Sequence, residues 1–301
     1  MEKLKKVKTM LSDPDIKEFI KFLAIHPGNI FNIYKQNRYE NMPEYIKESV
    51  HGQAFHERDK LVLRAVPISA ESGIMRDGDK VSEKVIQARL AGTDVVLNLE
   101  SIDWNQSFAD PEDMAAFHRF IWLYKWVFES LTTGNQREFY EIVVNVINSW
   151  IENESKRSKE QSHFEVWQTY TVAERVINWS VLLAVTSEKE FGDRKVIDSI
   201  IEQLEYIRCH FEYYGERFTG NHFCNDGRAL YIAGSLLSIK YYMDLGRKII
   251  LHEFDRVVTD RYFLREGSVH YQFLYTKWFV DLYWIASTCE DTDFQEKLRQ
   301  C

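Results

Sequence analysis

The chain has 301 residues, 45% hydrophobic and 28% charged, enough apolar mass for one large domain or two ordinary ones. Only 13 Gly and 5 Pro occur, against roughly 21 and 15 for average usage, which disfavours a turn-rich β-sandwich and favours helices. The balance of 38 Lys+Arg against 46 Asp+Glu leaves a net charge of −8, so the chain as a whole is not built to neutralise nucleic-acid phosphates.

The amino-terminal 15 residues, MEKLKKVKTMLSDPD, are basic at the start but have no apolar core segment or small-residue cleavage site, so a cytoplasmic location is expected. No run approaches the ~18 apolar residues of a membrane span. The first ~50 residues read as short helices, punctuated at Asp13-Pro14, His26-Pro27-Gly28 and Met42-Pro43. Residues 60–68 (KLVLRAVPI) and 93–99 (TDVVLNL) are the most strand-like segments, with the turn cluster SGIMRDGD between them. This gives a mixed helical region over 1–110. From 111 to 301 the pattern is helical, with apolar residues three and four apart. The predicted helices are DMAAFHRFIWLYKWVFESL, EFYEIVVNVINSWIEN, VWQTYTVAERVINWSVLLAV, KVIDSIIEQLEYIRCHFEYYGERF, GRALYIAGSLLSIKYYMDL, RKIILHEFDRVV and HYQFLYTKWFVDLYWIAS. The charge run NESKRSKEQS reads as a loop between the second and third. Seven or so consecutive helices with short connections predict stacked antiparallel hairpins, in either an α-solenoid or an α/α toroid.

Four cysteines (Cys209, Cys224, Cys289, Cys301) form no CxxC and no regular framework, so free thiols are expected, with no metal site and no cofactor. Aromatic residues are abundant, with 8 Trp, 16 Tyr and 19 Phe. They serve equally as core or as a cleft that stacks on flat ligand faces. Four clusters carry polar groups. In Gly220-Asn221-His222, at a helix entry, an amide and an imidazole are either a cap and its packing neighbour or donors to a carboxylate. In Arg265–Gln272, Ser268 has the position of an N-cap, and Tyr271 in the following turn is either packing or a proton-transferring phenol. Trp167, Glu174, Arg175, Asn178 and Trp179 include i,i+4 pairs on one helix face; they are a buried brace or a substrate wall. Trp104, Asn105, His118 and Arg119 are the fourth group, offering polar contacts beside aromatic rings.

The succession IDWN, FHRFIWLYKW, WQTYTVAERVINW, GNHFCNDGRALYIAG and DRYFLREGSVHYQFLY, from about Asn98 to Ser287, resembles the heparinase II/III-like polysaccharide lyases. The most specific parts are GNHxxxxxRALxxAG and WxxYTxxERxxNW. The resemblance implies a mainly α fold, an incomplete α/α toroid of antiparallel helical hairpins with a small mixed amino-terminal region. It implies an acidic polysaccharide as partner and β-elimination next to a uronate carboxylate as chemistry. The alternative is a degenerate toroid that binds carbohydrate without cleaving it. It implies Asn221 and His222 at the carboxylate and Tyr271 as the phenol that moves the proton. Trp104, Trp167 and Trp179 are then candidate stacking platforms, and Asn105, His118, Arg119 and Arg175 candidate polar contacts. The chain departs from the family pattern at Arg261, Gly267, Val269 and Gln272. Family members continue into a carboxy-terminal β-sandwich, so a separate sandwich domain or chain and an exposed apolar surface are expected. Exported relatives set a periplasmic location beside the cytoplasmic one.

Overall fold

The computed structural model describes residues 42–50, 61–66, 84–131, 136–156, 164–187, 191–216, 219–259, 261–265 and 267–299. The turn signals at Asp13-Pro14 and His26-Pro27-Gly28 and the SGIMRDGD cluster lie outside them. The chain divides into two compact units, residues 1–43 with 213–219, and residues 44–212 with 220–301. In the first, the described part is a turn that Thr219 closes: its hydroxyl accepts from the Tyr214 amide at 2.8 Å and donates to the Gly215 carbonyl at 2.7 Å.

The second unit is mainly helical. Its elements are α1 (Glu44–Val50), β1 (Val85–Arg89), β2 (Asp94–Asn98), α2 (Pro111–Arg119), α3 (Trp122–Leu131), α4 (Gln136–Ser155), α5 (Phe164–Trp167), α6 (Thr169–Thr186), α7 (Arg194–Cys209), α8 (Asn221–Leu236), α9 (Lys240–Val257), α10 (Val269–Thr288) and α11 (Thr292–Arg299). The strand predicted at 93–99 is β2. It pairs antiparallel with β1, Ile86 opposite Leu97 and Ala88 opposite Val95. The segment predicted as a strand over 60–68 makes only a single bridge, Leu63 with Phe191, in its described part. Its other amides have a different use: Val66 donates to the Ala184 carbonyl and Arg64 to the Leu236 carbonyl, satisfying acceptors in the last turns of α6 and α8.

Three predicted helices are each broken in two. Phe120 stops the helix that was to run from 113 to 131, taking a left-handed conformation (φ 64°). The turn lets its ring stack on Trp104 at 5.2 Å and meet Trp179 edge-on at 5.3 Å. At Gln168 the backbone becomes extended (ψ 134°), which separates α5 from α6. Residues 237–239 separate α8 from α9, with Ser238 at φ 57°. The helix predicted to reach Phe218 ends at Cys209, and α8 starts at Asn221 rather than near Asn225. A further helix, α11, follows the one predicted to be last; its Phe294 ring packs on Tyr231 at 4.5 Å.

The core centres on α6, which packs on α2, α3, α4, α5, α7 and α8 and is buried at nearly every position. A helix surrounded on all sides needs apolar residues all round rather than a stripe, and VINWSVLLAV supplies them. The α8–α9 pair is the tightest contact. A Cβ on Gly246 would lie 2.6 Å from the Tyr231 amide, and one on Gly234 2.9 Å from the Met243 amide. Residue numbers that rise along one helix and fall along the other show that the pair is antiparallel. By contrast α10 is apolar on its outer face as well, with Val269 and Phe273 each 72% exposed. Among the described residues, Cys209, Cys224 and Cys289 are free thiols, and no helix is long and apolar enough to cross a membrane.

Candidate active site

The first turn of α8 is the centre of the candidate site. Gly220 precedes it in an extended conformation and has no side chain with which to cap the helix. The helix that follows is 16 residues long, and its amino-terminal end carries the positive pole of the helix dipole. Buried Phe223 and Cys224 anchor this turn, while Asn221 and His222 are half-buried at its edge. Glu212 lies 2.6 Å from His222 Nδ1. A carboxylate there fixes the imidazole ring and orients its Nε2.

Tyr170 links the imidazole to two further side chains. The Tyr170 ring, from the first turn of α6, sits 4.8 Å from it. Arg119, at the end of α2, places its guanidinium 4.9 Å from the centre of the Tyr170 ring. That guanidinium is steadied by Thr171 Oγ1 and Glu112, each at 3.3 Å. Tyr271 approaches from α10. Ser268 caps that helix by accepting from the Tyr271 amide at 3.4 Å, which sets Tyr271 in the first turn. Tyr271 and Tyr170 pack against the same buried cluster of Cys224, Leu264, Tyr275 and Trp278. Burial holds the Tyr170 phenol well above its ordinary pKa of 10, and Glu174 adds to the effect; Arg119 and Arg228 oppose it. Tyr170 is therefore a hydrogen-bond donor at any ordinary pH and not a base.

About two turns further along α8, Arg228 is clamped by Glu174 at 3.0 Å and Asp281 at 3.2 Å, with the Trp278 ring 4.6 Å away. Glu174 thus pairs with Arg228 and not with its neighbour Arg175. The charges in this layer are balanced within the protein. Among the described residues, no three His, Cys, Asp or Glu side chains come together as a metal site.

Tyr170 is thus the shared neighbour of His222 and Arg119 and packs with Tyr271 on one buried cluster, while Asn221 precedes His222 in the chain. The structure places the remaining candidates elsewhere. Arg175 is fully buried and donates to Gln203 Oε1 at 2.7 Å and to the carbonyls of Val166 and His118 at 3.1 and 3.3 Å, with Trp150 4.3 Å from its guanidinium. Burial draws its pKa down to about 9, which still leaves it charged at neutral pH. His118 is also fully buried and accepts from Trp150 Nε1 at 2.9 Å. Trp179 meets Trp150 edge-on at 5.2 Å with no exposed surface, and Trp104 donates to Ser149 at 3.0 Å from a buried position. These four brace helices and have no face to offer a sugar, which corrects their reading as substrate contacts. Half-buried Trp167 donates to Glu154 at 3.2 Å, and exposed Asn105 to Asn153 at 3.3 Å; both belong to the Trp150 surroundings rather than to the α8 terminus.

Tyr170, Glu212 and Gly220 were not among the candidates. Tyr170 had a signal, since it stands four residues before Glu174 and shares its helix face. Glu212 had none, because it faces His222 only once α7 has ended and the chain has turned back.

No protein-family model matches the chain, and no curated protein matches it. Among solved structures, a mutant of the heparan sulfate lyase HepC from Pedobacter heparinus is similar over 95% of this chain and 44% of that one, with a TM-score of 0.51 and 16% identity. HepC itself aligns over the same shares, with a TM-score of 0.49 and 15% identity. The chain spans less than half the length of that lyase. At this identity the likeness shows the fold, a mainly helical, toroid-like arrangement of the heparinase type.

Proposed function

We propose that this chain carries the helical part of a polysaccharide lyase that cleaves a uronate-containing acidic polysaccharide by β-elimination. The observation that carries the reading is the surroundings of Tyr170: the His222 ring lies 4.8 Å from its ring, the Arg119 guanidinium 4.9 Å from its centre, and Tyr271 packs on the same buried cluster.

Elimination begins with loss of the proton on C5, next to the carboxylate. The electron pair of that C–H bond becomes the C4–C5 double bond, the C4–O bond breaks, and the departing oxygen takes a proton. The obstacle is the second negative charge that builds on the carboxylate as the proton leaves. The Asn221 side-chain amide and the His222 ring are donors suited to that charge, and losing one such donor raises a barrier by ~2.7–4 kcal/mol. Tyr271 is assigned the proton transfer, taking the C5 proton and returning one to the leaving oxygen. Tyr170 stays protonated and donates a hydrogen bond, while Arg119 offsets a flanking acidic group.

The test is incubation of the protein with a panel of uronate polymers while the ultraviolet absorbance of unsaturated product is followed. Absorbance that rises with at least one polymer supports the reading. Saturable polymer binding with no absorbance change across the panel replaces it with the carbohydrate-binding alternative.

A further inference from the structure

Beyond the Glu174–Arg228 layer, between α3, α6, α8 and α10, lies a cavity of about 520 Å³, within the usual range for small-molecule sites. None of Arg119, Tyr170, His222 and Tyr271 lines it. Its walls are Ile177, Val181, Ile232 and Ile285, and Ile121 and Trp284 stand at its surface, 48% and 36% exposed. We infer that this cavity is a second ligand site, which takes a neutral, flat, mostly apolar molecule of two or three fused rings carrying one hydrogen-bond acceptor.

The charge of the ligand follows from the polar end of the cavity. Two cations, Arg228 and Lys277, face two carboxylates, Glu174 and Asp281, at 2.8–3.2 Å, so the lining asks for no counter-charge. Tyr124 also lines the cavity; burial first, then Asp281 and Glu174, hold its phenol well above its ordinary pKa, so it too is neutral. A sugar does not suit such a site. Each hydroxyl buried without a partner costs about 1–3 kcal/mol, and apart from Arg228 Nε the lining's charged groups are already paired with one another. A fused ring system loses nothing of that kind and gains contact with four aliphatic walls and the Trp284 ring. One acceptor is matched by the Nε–H of Arg228, a buried donor without a partner among the described residues.

The probe is 2-naphthol, a neutral two-ring phenol whose oxygen can accept from Arg228. In wild-type protein with labelled isoleucine methyl groups, saturable shifts are expected at Ile121, Ile177, Ile232 and Ile285. Ile232→Trp, which fills the cavity from α8, should weaken 2-naphthol at least tenfold, and Val181→Phe should do the same from α6. Phe273→Ser, on the exposed face of α10, should leave affinity within twofold of wild type. Excess of a uronate oligosaccharide should not displace the probe. The inference is overturned if the methyl shifts are absent or non-saturable, if they fall outside the cavity, or if the oligosaccharide competes. The wild-type methyl shifts decide the matter even if a filling variant fails to fold, and none of these readouts depends on lyase activity.

Discussion

Replacing Gly246 with alanine puts a methyl group where α8 and α9 leave no room. Its Cβ would lie 2.6 Å from the Tyr231 amide nitrogen, 2.7 Å from the Gly227 carbonyl oxygen and 2.8 Å from Tyr231 Cβ. Ordinary contact begins at 3.4 Å, so the worst of these is short by about 0.8 Å. Two of the three atoms are α8 backbone, which no rotamer change can move aside. Overpacking of this kind costs ~1–3 kcal/mol, and the direct backbone clash puts it at the upper end. Alanine recovers about 0.8–1 kcal/mol of helix propensity, leaving a net loss of ~1–2 kcal/mol. At roughly 2–4 °C per kcal/mol, the melting temperature should fall by ~2–8 °C. Gly192→Ala is the control: its nearest neighbour would be Val62 Cγ1 at 3.9 Å, so stability should stay within about 0.5 kcal/mol. The assay is thermal unfolding followed by circular dichroism, both variants against wild type. A Gly246→Ala protein as stable as wild type, or more so, would refute the close approach of α8 to α9 and with it the placement of the α8 terminus.

Two other substitutions separate bracing from ligand contact. Arg175→Met leaves Gln203 and two backbone carbonyls without their buried donor, so stability should drop by ~3 kcal/mol or more in a urea titration. Unchanged stability together with weaker polymer binding would return Arg175 to the site. Asp113 accepts from the amides of Gly92 and Thr93 at 2.6 and 3.1 Å, tying the β1–β2 turn to α2, and these bonds hold its carboxyl below the ordinary value of 3.8. A lowered folded-state pKa means stability that is fully present above about pH 4 and lost as the pH falls through the folded value. Asp113→Asn should therefore be less stable than wild type at pH 7, with the gap closing as the pH falls below about 4; a gap that is constant with pH in urea midpoints would show that the carboxylate is not the source.

The helical class was legible because apolar residues recur at three and four positions from α2 onward, and few Gly or Pro interrupt them. The breaks were not. Phe120 is apolar and continues the period, yet it leaves the helix because its ring finds Trp104 and Trp179 only from a left-handed backbone, a tertiary gain that local propensity does not contain. Residues 60–68 have strand composition, but beyond the Leu63 bridge the amides of Arg64 and Val66 are used on helix ends. Within the site, Ser268 and the turn after it made Tyr271 visible, and Asn221-His222 stood out as a polar pair at a helix entry. Glu212 and Tyr170 become neighbours of His222 only through the return of the chain after α7 and the packing of α6 on α8. The opposite error came from Trp104, His118, Arg175 and Trp179. Aromatic and polar residue types can line a cleft or fill a core, and burial alone distinguishes the two.

The measurement that bears most directly on the elimination mechanism is turnover and binding of Tyr271→Phe beside wild type, on a panel of uronate polymers. The substitution removes one hydroxyl and almost no volume from a residue packed beside Tyr170 and Trp278. The mechanism predicts unsaturated product from wild type, a loss of turnover of at least ~10²-fold in the variant, and polymer affinity within a few-fold of wild type. Product formation by Tyr271→Phe at the wild-type rate, or no product from wild type on any uronate polymer, would contradict it.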